Sequence, residues 1–213
     1  GGIVANCAAT STCIVDNFGF SARGIEVDSG GNLTLNTVFV SGPEVVRYTS
    51  AGTTLWSASV SGGGSVVYGG IARDASDNRY ITGRFLGTLQ GPGGPVTAPT
   101  TSWYSIFVMK VDATGNVVWV QAYGGTSWTQ GSSVAVDGAG NLWLAGTLVN
   151  VSGQTGSLVL GPYTFPAASG SHGFLSKLDP AGTVLWATLY AGSSVTDLAV
   201  DPAGQVHFVG QAG

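Results

Sequence analysis

Apolar and polar positions along this chain come in short bursts that repeat. "SVAVDGAGNLWLAG" at 133–146 is an apolar run, a polar turn and a second apolar run. The same arrangement recurs at 24–37 ("GIEVDSGGNLTLNT"), 70–83 ("GIARDASDNRYITG") and 197–210 ("DLAVDPAGQVHFVG"). Runs of this length, rich in Val, Leu, Ile, Trp and Tyr and bounded by Asp, Gly and Asn, predict strands joined by tight turns. No 3.6-residue periodicity marks an amphipathic helix. "LWLAG" and "VVWV" are apolar at every position, where a half-solvated sheet would alternate, so they predict strands covered on both faces.

A second hairpin follows each of the first three. "VVRYTSAGTTLW" (45–56), "VMKVDATGNVVW" (108–119) and "LSKLDPAGTVLW" (175–186) align without gaps. Each carries a basic residue (Arg47, Lys110, Lys177) and, nine residues on, a tryptophan (Trp56, Trp119, Trp186). The unit is therefore four strands: two joined by a D-x-x-G-N turn, a variable loop, and two joined by an x-x-G turn. The turn aspartates Asp28, Asp74, Asp137 and Asp201 lie 46, 63 and 64 residues apart. Four antiparallel strands repeated at this period predict an all-β fold of β-propeller blades rather than a helical solenoid. The repeated Trp is expected to pack between blades. The repeated Lys or Arg is expected to lay its aliphatic stem over a blade edge.

The pattern "VAVDGAGNLWLAG…FLSKLDPAGTVLWATLYAG" resembles the bacterial SBBP repeat, a seven-bladed β-propeller type, over residues 24–213. The likeness is weaker in the first unit, where Thr37 stands in place of the repeat glycine and the middle loop is short. The resemblance implies a propeller in a secreted or surface protein and no shared catalytic residues. Seven blades at this spacing need about 420 residues, and three and a half units are present. The expected divisions are 1–23 (an N-terminal segment), 24–60, 70–123 and 133–190 (three blades) and 196–213 (two strands of a further blade). Two arrangements fit: a segment of a larger propeller, which we take as the expectation, or a four-bladed ring in which 1–23 completes the last blade.

Composition narrows the function classes. Charged residues are 8% of the 213, apolar residues 44%, and the formal net charge is −4. That balance is too apolar for a disordered chain and gives no basic footprint for nucleic acid. No apolar stretch approaches the roughly 20 residues of a membrane span. Starting at Gly1 without Met or signal peptide, the sequence reads as a processed protein or a fragment. Cys7 and Cys13 are the only cysteines. Their spacing suits neither a CxxC site nor a zinc site, and we expect a disulfide closing a small loop between two short strands, in an oxidising compartment.

Candidate chemistry is sparse. The D-x-x-G-N turns offer two oxygen ligands where a calcium loop needs about five, and turn chemistry explains the same residues. No metal or other cofactor is expected. His172 ends a long loop and His207 lies in a strand; Glu26 and Glu44 are the only glutamates. No nucleophile elbow, HExxH, P-loop or dinucleotide fingerprint occurs, so no enzyme is expected. Asn32 and Asn150 match the glycosylation acceptor pattern. Strand parity puts the short turns on one face. The middle loops (85–104, 148–172) and connectors (61–69, 124–132) lie on the other, where binding residues are expected. Trp103 and Trp128 fall on that loop face at non-repeated positions, with Tyr104 and Tyr163 as companions. The expectation is a non-catalytic, bacterial extracellular or cell-surface scaffold acting through protein partners or self-assembly. A carbohydrate-binding module using Trp103 and Trp128, or a piece of a polysaccharide-acting propeller enzyme, are the alternatives.

Overall fold

The computed structural model describes residues 5–8, 12–15, 21–39, 42–99 and 103–212. Among them every regular element is a strand. A hairpin of β1 (Ala5–Ala8) and β2 (Thr12–Val15) comes first. The first four-stranded sheet is β3 (Ser21–Val27), β4 (Leu33–Phe39), β5 (Gly42–Tyr48) and β6 (Thr54–Ala58). After the short β7 (Ser61–Gly62), the second sheet opens with β8 (Ser65–Arg73) and β9 (Arg79–Leu86). A hairpin of β10 (Thr88–Gly91) and β11 (Gly94–Thr97) is inserted before its β12 (Ser105–Val111) and β13 (Val117–Tyr123). The third sheet repeats the plan with β14 (Trp128–Val136), β15 (Leu142–Asn150), an inserted hairpin of β16 (Gly156–Leu160) and β17 (Tyr163–Ala167), then β18 (Gly170–Leu178) and β19 (Val184–Ala191). A final pair, β20 (Ser193–Val200) and β21 (Val206–Ala212), forms the beginning of a fourth sheet. Each full sheet is an antiparallel meander, and the whole is a partial β-propeller.

Two stretches read as loops from sequence hold strands instead. Positive-φ glycines flank the inserted hairpins at Gly87 and Gly170 and sit inside them at Gly94 and Gly161, and they break the alternation that would have revealed them. The first strands also begin earlier than the repeat pattern indicated: β8 starts at Ser65 and β14 at Trp128, inside stretches read as connectors. A β-bulge explains this. The ladder register slips at Arg23, at Gly69 and Gly70, at Ser132 and at Thr196, the same place in all four first strands. One extra residue hides the period-2 pattern while the strand continues through it.

The repeat glycine answers to that bulge. A β-carbon at Gly83 would overlap the Val67 carbonyl oxygen, one at Gly146 that of Gln130, and one at Gly210 that of Ser194. At Gly83 and Gly146 it would also strike the rings of Phe107 and Phe174. In the first sheet, Thr37 is buried and its hydroxyl donates to the Glu44 carbonyl, 3.2 Å away.

Sheets stack face to face, and both faces of the middle ones are buried. Val45 and Ala58 meet Ile81, Phe85, Phe107 and Met109 between the first and second sheets. Tyr80, Ile106 and Val108 meet Leu142, Leu144 and Phe174 between the second and third. Ala145 and Leu175 meet Val195 and Leu198 between the third and fourth. This accounts for the runs that are apolar at every position. Trp56 Nε1 donates to the Ala113 carbonyl at 3.1 Å, and Trp119 Nε1 to the Pro180 carbonyl at 3.3 Å, so each ring bridges to the second turn of the next sheet.

The aspartates organise the turns. Asp137 Oδ1 accepts from the backbone N–H of Ala139 at 3.0 Å and of Asn141 at 2.9 Å, and Asp28, Asp74 and Asp201 repeat the pair of bonds. Burial by itself raises the Asp28 and Asp137 carboxyls. The bonds from Asn32, Arg47 and Gly30, and from Lys177, Asn141 and Ala139, outweigh it and bring both down to about 2. The repeated basic residue does more than cover an edge with its stem: Arg47 pairs with Asp28 at 2.6 Å and Lys177 with Asp137 at 3.0 Å. Lys110 instead sits 5.2 Å from the centre of the Tyr80 ring, whose hydroxyl donates to Asp74 at 3.1 Å.

Candidate functional site

The loop face gathers what the regular turn face lacks. Trp103 precedes β12 and Trp128 opens β14, so they belong to different sheets. The bond from Thr129 N–H to the Tyr104 carbonyl, 2.9 Å, and a second from the Thr129 hydroxyl, 3.0 Å, tie the two segments together. As a result Trp103 and Trp128 line one groove of about 300 Å³ with Val149 and Val151 from the end of β15. Tyr104 meets Trp128 edge-on, with ring centres 6.2 Å apart and planes at 70°.

Arg84, near the end of β9, completes the group. Its guanidinium lies 4.9 Å from the Tyr104 ring centre and 5.2 Å from that of Trp128, and Nη1 donates to Gln130 Oε1. A guanidinium held by two rings is pre-organised. Its Nε is buried and has no hydrogen-bond partner among the described residues. The groove is thus a small apolar hollow with aromatic walls and one fixed cation behind them. That chemistry anchors an aromatic or aliphatic group and favours an acceptor or negative charge beside it.

Tyr163 lies elsewhere. Its ring stacks on Phe165 at 6.4 Å and its hydroxyl donates to the Leu185 carbonyl at 3.0 Å, which docks the inserted hairpin onto β19. His172 is buried, with Nε2 3.1 Å from the Ala168 carbonyl. His207 is exposed, 3.3 Å from Asp201. Asn32 donates its side-chain amide to Asp28 at 2.9 Å, and Asn150 donates to Ala168 at 2.9 Å. Both amides that match the glycosylation pattern are therefore engaged within the fold. The Cys7 and Cys13 side chains lie outside the described residues. Their backbones pair directly across β1 and β2.

Arg84 escaped the sequence reading because it falls inside a strand. The signal available was its departure from the repeat: the aligned residues are Val38, Thr147 and Gln211, none of them charged. A second feature was equally hidden. The bulged first strands converge on a polar cavity of about 380 Å³, bordered by Arg23, Gly70, Ser132, Ser133, Thr196 and Asp197 among others. There Ser133 Oγ donates to Asp197 at 2.7 Å and Asn36 to the Gly69 carbonyl at 2.6 Å, and these bonds join neighbouring sheets. Among the described residues no group of three His, Cys, Asp or Glu is placed to hold a metal ion.

No protein-family model matches the chain. Over 108 residues, 48% of its length, it is 31% identical to an uncharacterized WD repeat-containing protein of Acanthamoeba polyphaga mimivirus, of which the match spans 8%. Among solved structures, a protein of unknown function from Bacteroides caccae aligns over 92% of this chain and 55% of that one, with 9% identity and a TM-score of 0.48. Virginiamycin B lyase from Staphylococcus aureus aligns over 88% of this chain and 91% of its own, with 10% identity and a TM-score of 0.26. The chain spans little more than half of the first of these structures and a small part of the viral relative.

Proposed function

We propose that this chain is a non-catalytic β-propeller scaffold of the SBBP-like type that holds a protein partner in its loop-face aromatic groove, in a secreted or cell-surface bacterial protein. The observation that carries the reading is the convergence of Trp103 and Trp128, from different sheets, on one groove backed by Arg84. Neither tryptophan is at a repeated position, so the repeat itself does not require them. Rings, an arginine and an apolar hollow are the composition of an interaction hot spot.

A displayed peptide library and a glycan array, each probed with the wild type and with Trp103→Ala/Trp128→Ala, test the proposal. Peptides selected by the wild type are expected to lose at least about tenfold in affinity to the double variant. Selection of glycans alone, with loss in the same variant, would replace the protein partner by a carbohydrate. Binding unchanged in the double variant would remove the groove from the account.

A further inference from the structure

The four first hairpins follow one pattern, and the seam between the first and second sheets breaks it with charge. Glu26 stands where the other hairpins have Ala72, Ala135 and Ala199, and Arg73 where they have Val27, Val136 and Val200. Asp77 replaces the turn glycine (Gly31, Gly140, Gly204), and Arg79 replaces Leu33, Leu142 and Val206. These four departures meet. Glu26 accepts from Arg73 Nε at 2.6 Å and lies 3.5 Å from Arg79 Nη2. Asp77 lies 3.0 Å from Arg79 Nη1 and accepts from Arg47, on the first sheet, at 2.6 Å. Arg47 also holds Asp28, so three of the chain's seven basic residues gather here with three acids. Among the described residues, every ion pair that crosses from one sheet to the next belongs to this seam.

The cluster is a poor device for stability. Arg79 is fully buried at a position where Leu33 and Leu142 are core residues. Its Nε and that of Arg47 are buried without a hydrogen-bond partner among the described residues. Asp77 has a φ of 65°, in the left-handed region that glycine adopts freely and other residues do not. Apolar residues that pack well commonly equal or exceed buried charges in stability, whereas a single unpartnered buried charge is costly. What the cluster does distinguish is the neighbour. The first sheet brings Glu26, Asp28 and Arg47 to the seam with one negative charge in excess. The second brings Arg73, Asp77 and Arg79 with one positive charge in excess. We propose that this charged cluster is a docking code, which makes the second sheet the one neighbour that the first sheet accepts among sheets of otherwise similar faces. Against the third sheet, Glu26 would meet Val136, Gly140 and Leu142 and lose both guanidinium partners. Against a sheet carrying alanine in place of Glu26, Asp77 alone would be left to neutralise Arg73 and Arg79. Each wrong pairing thus buries an uncompensated charge. Repeated sheets that lack such a penalty are prone to dock wrongly, within a chain or between two copies.

Two variants of the full chain separate this role from plain stabilisation. Glu26→Ala leaves the buried arginines short of a carboxylate. Glu26→Ala/Arg73→Val/Asp77→Gly/Arg79→Leu gives the seam the residues that the other sheets carry. In urea, the single variant is expected to lose about 1 M or more from its unfolding midpoint, and the fourfold variant to match or exceed the wild type. After dilution from urea, the fourfold variant is expected to return less monomer than the wild type, with a shortfall that grows with protein concentration. Size-exclusion chromatography with light scattering measures it. An unchanged midpoint for Glu26→Ala would overturn the proposal. So would a fourfold variant that unfolds before the wild type or fails to fold, since the cluster would then be a source of stability. Recovery of the fourfold variant as monomer with the wild-type yield at every concentration would overturn it too, because the sheets would then find their neighbours without the charges.

Discussion

Gly146 lies directly beneath the carbonyl oxygen of Gln130, so close that a β-carbon at 146 would overlap it. The bulge at Ser132 brings the first strand down onto the second at this point, and the Phe174 ring closes the other side. Gly146→Ala is therefore expected to destabilise the fold by about 3 kcal/mol. Gly138→Ala, with nothing within 4 Å of the added carbon, should change stability by less than about 0.5 kcal/mol. Urea unfolding of the two variants makes the comparison, and equal effects would contradict the close approach.

The three repeated tryptophans are not equivalent in their surroundings, so they should not be equivalent in energy. Trp119 packs in the second interface and bonds to Pro180, whereas Trp186 is substantially exposed. Trp119→Ala is expected to cost about 3–5 kcal/mol and Trp186→Ala distinctly less. Differential scanning calorimetry of both variants checks the order. A larger loss at Trp186 would contradict the sheet stacking.

Acid should act through the turn carboxylates. Asp137, held at about 2 in the fold against an ordinary value of 3.8, binds its proton more readily in the unfolded chain. Its contribution is thus fully present above about pH 5 and is lost as the pH falls through 3.8 toward 2. Asp137→Asn should be less stable than the wild type at pH 7, and the gap should narrow toward pH 2. Urea midpoints at pH 7, 5, 4 and 3 follow it, and a gap independent of pH would contradict the Asp137–Lys177 and turn-amide account.

Cys7 and Cys13 face each other across β1 and β2 in backbone register. Directly opposed strand residues have Cα separations of about 4.5–5.5 Å, within the range that a disulfide spans. We expect the pair to be oxidised in the native protein, as an exported chain would allow. Intact mass after alkylation without reductant is the check: no added label agrees, and two labelled thiols contradict it.

What could be read from sequence follows from which interactions are local. The Asp-x-x-Gly turns and the strand pairs beside them are set by side chains within four residues of each other, and Asp137 with Asn141 declares them outright. The bridging role of Trp56 and Trp119 was visible because the repeat fixes where an outer strand lies. Bulges were not visible, since Gly69, Ser132 and Thr196 are small or polar residues that fit a loop as well as a strand. Gly87 and Gly161 disguised the inserted hairpins in the same way. The loop-face groove was half legible: Trp103, Tyr104 and Trp128 stood out as non-repeated aromatics, but Tyr163 looked alike and packs on β19. Only tertiary contact separates it from the others and adds Arg84 and Val149.

The central claim is that the loop-face groove, rather than the turn face, holds the partner. Titration calorimetry with the tightest selected peptide tests it most directly, comparing the wild type with Trp128→Ala, Arg84→Ala and the turn-face variant Asp112→Asn. The account predicts at least about tenfold weaker binding for Trp128→Ala and a clear loss for Arg84→Ala, with Asp112→Asn binding like the wild type. Full affinity in Trp128→Ala and Arg84→Ala, or loss confined to Asp112→Asn, would contradict it.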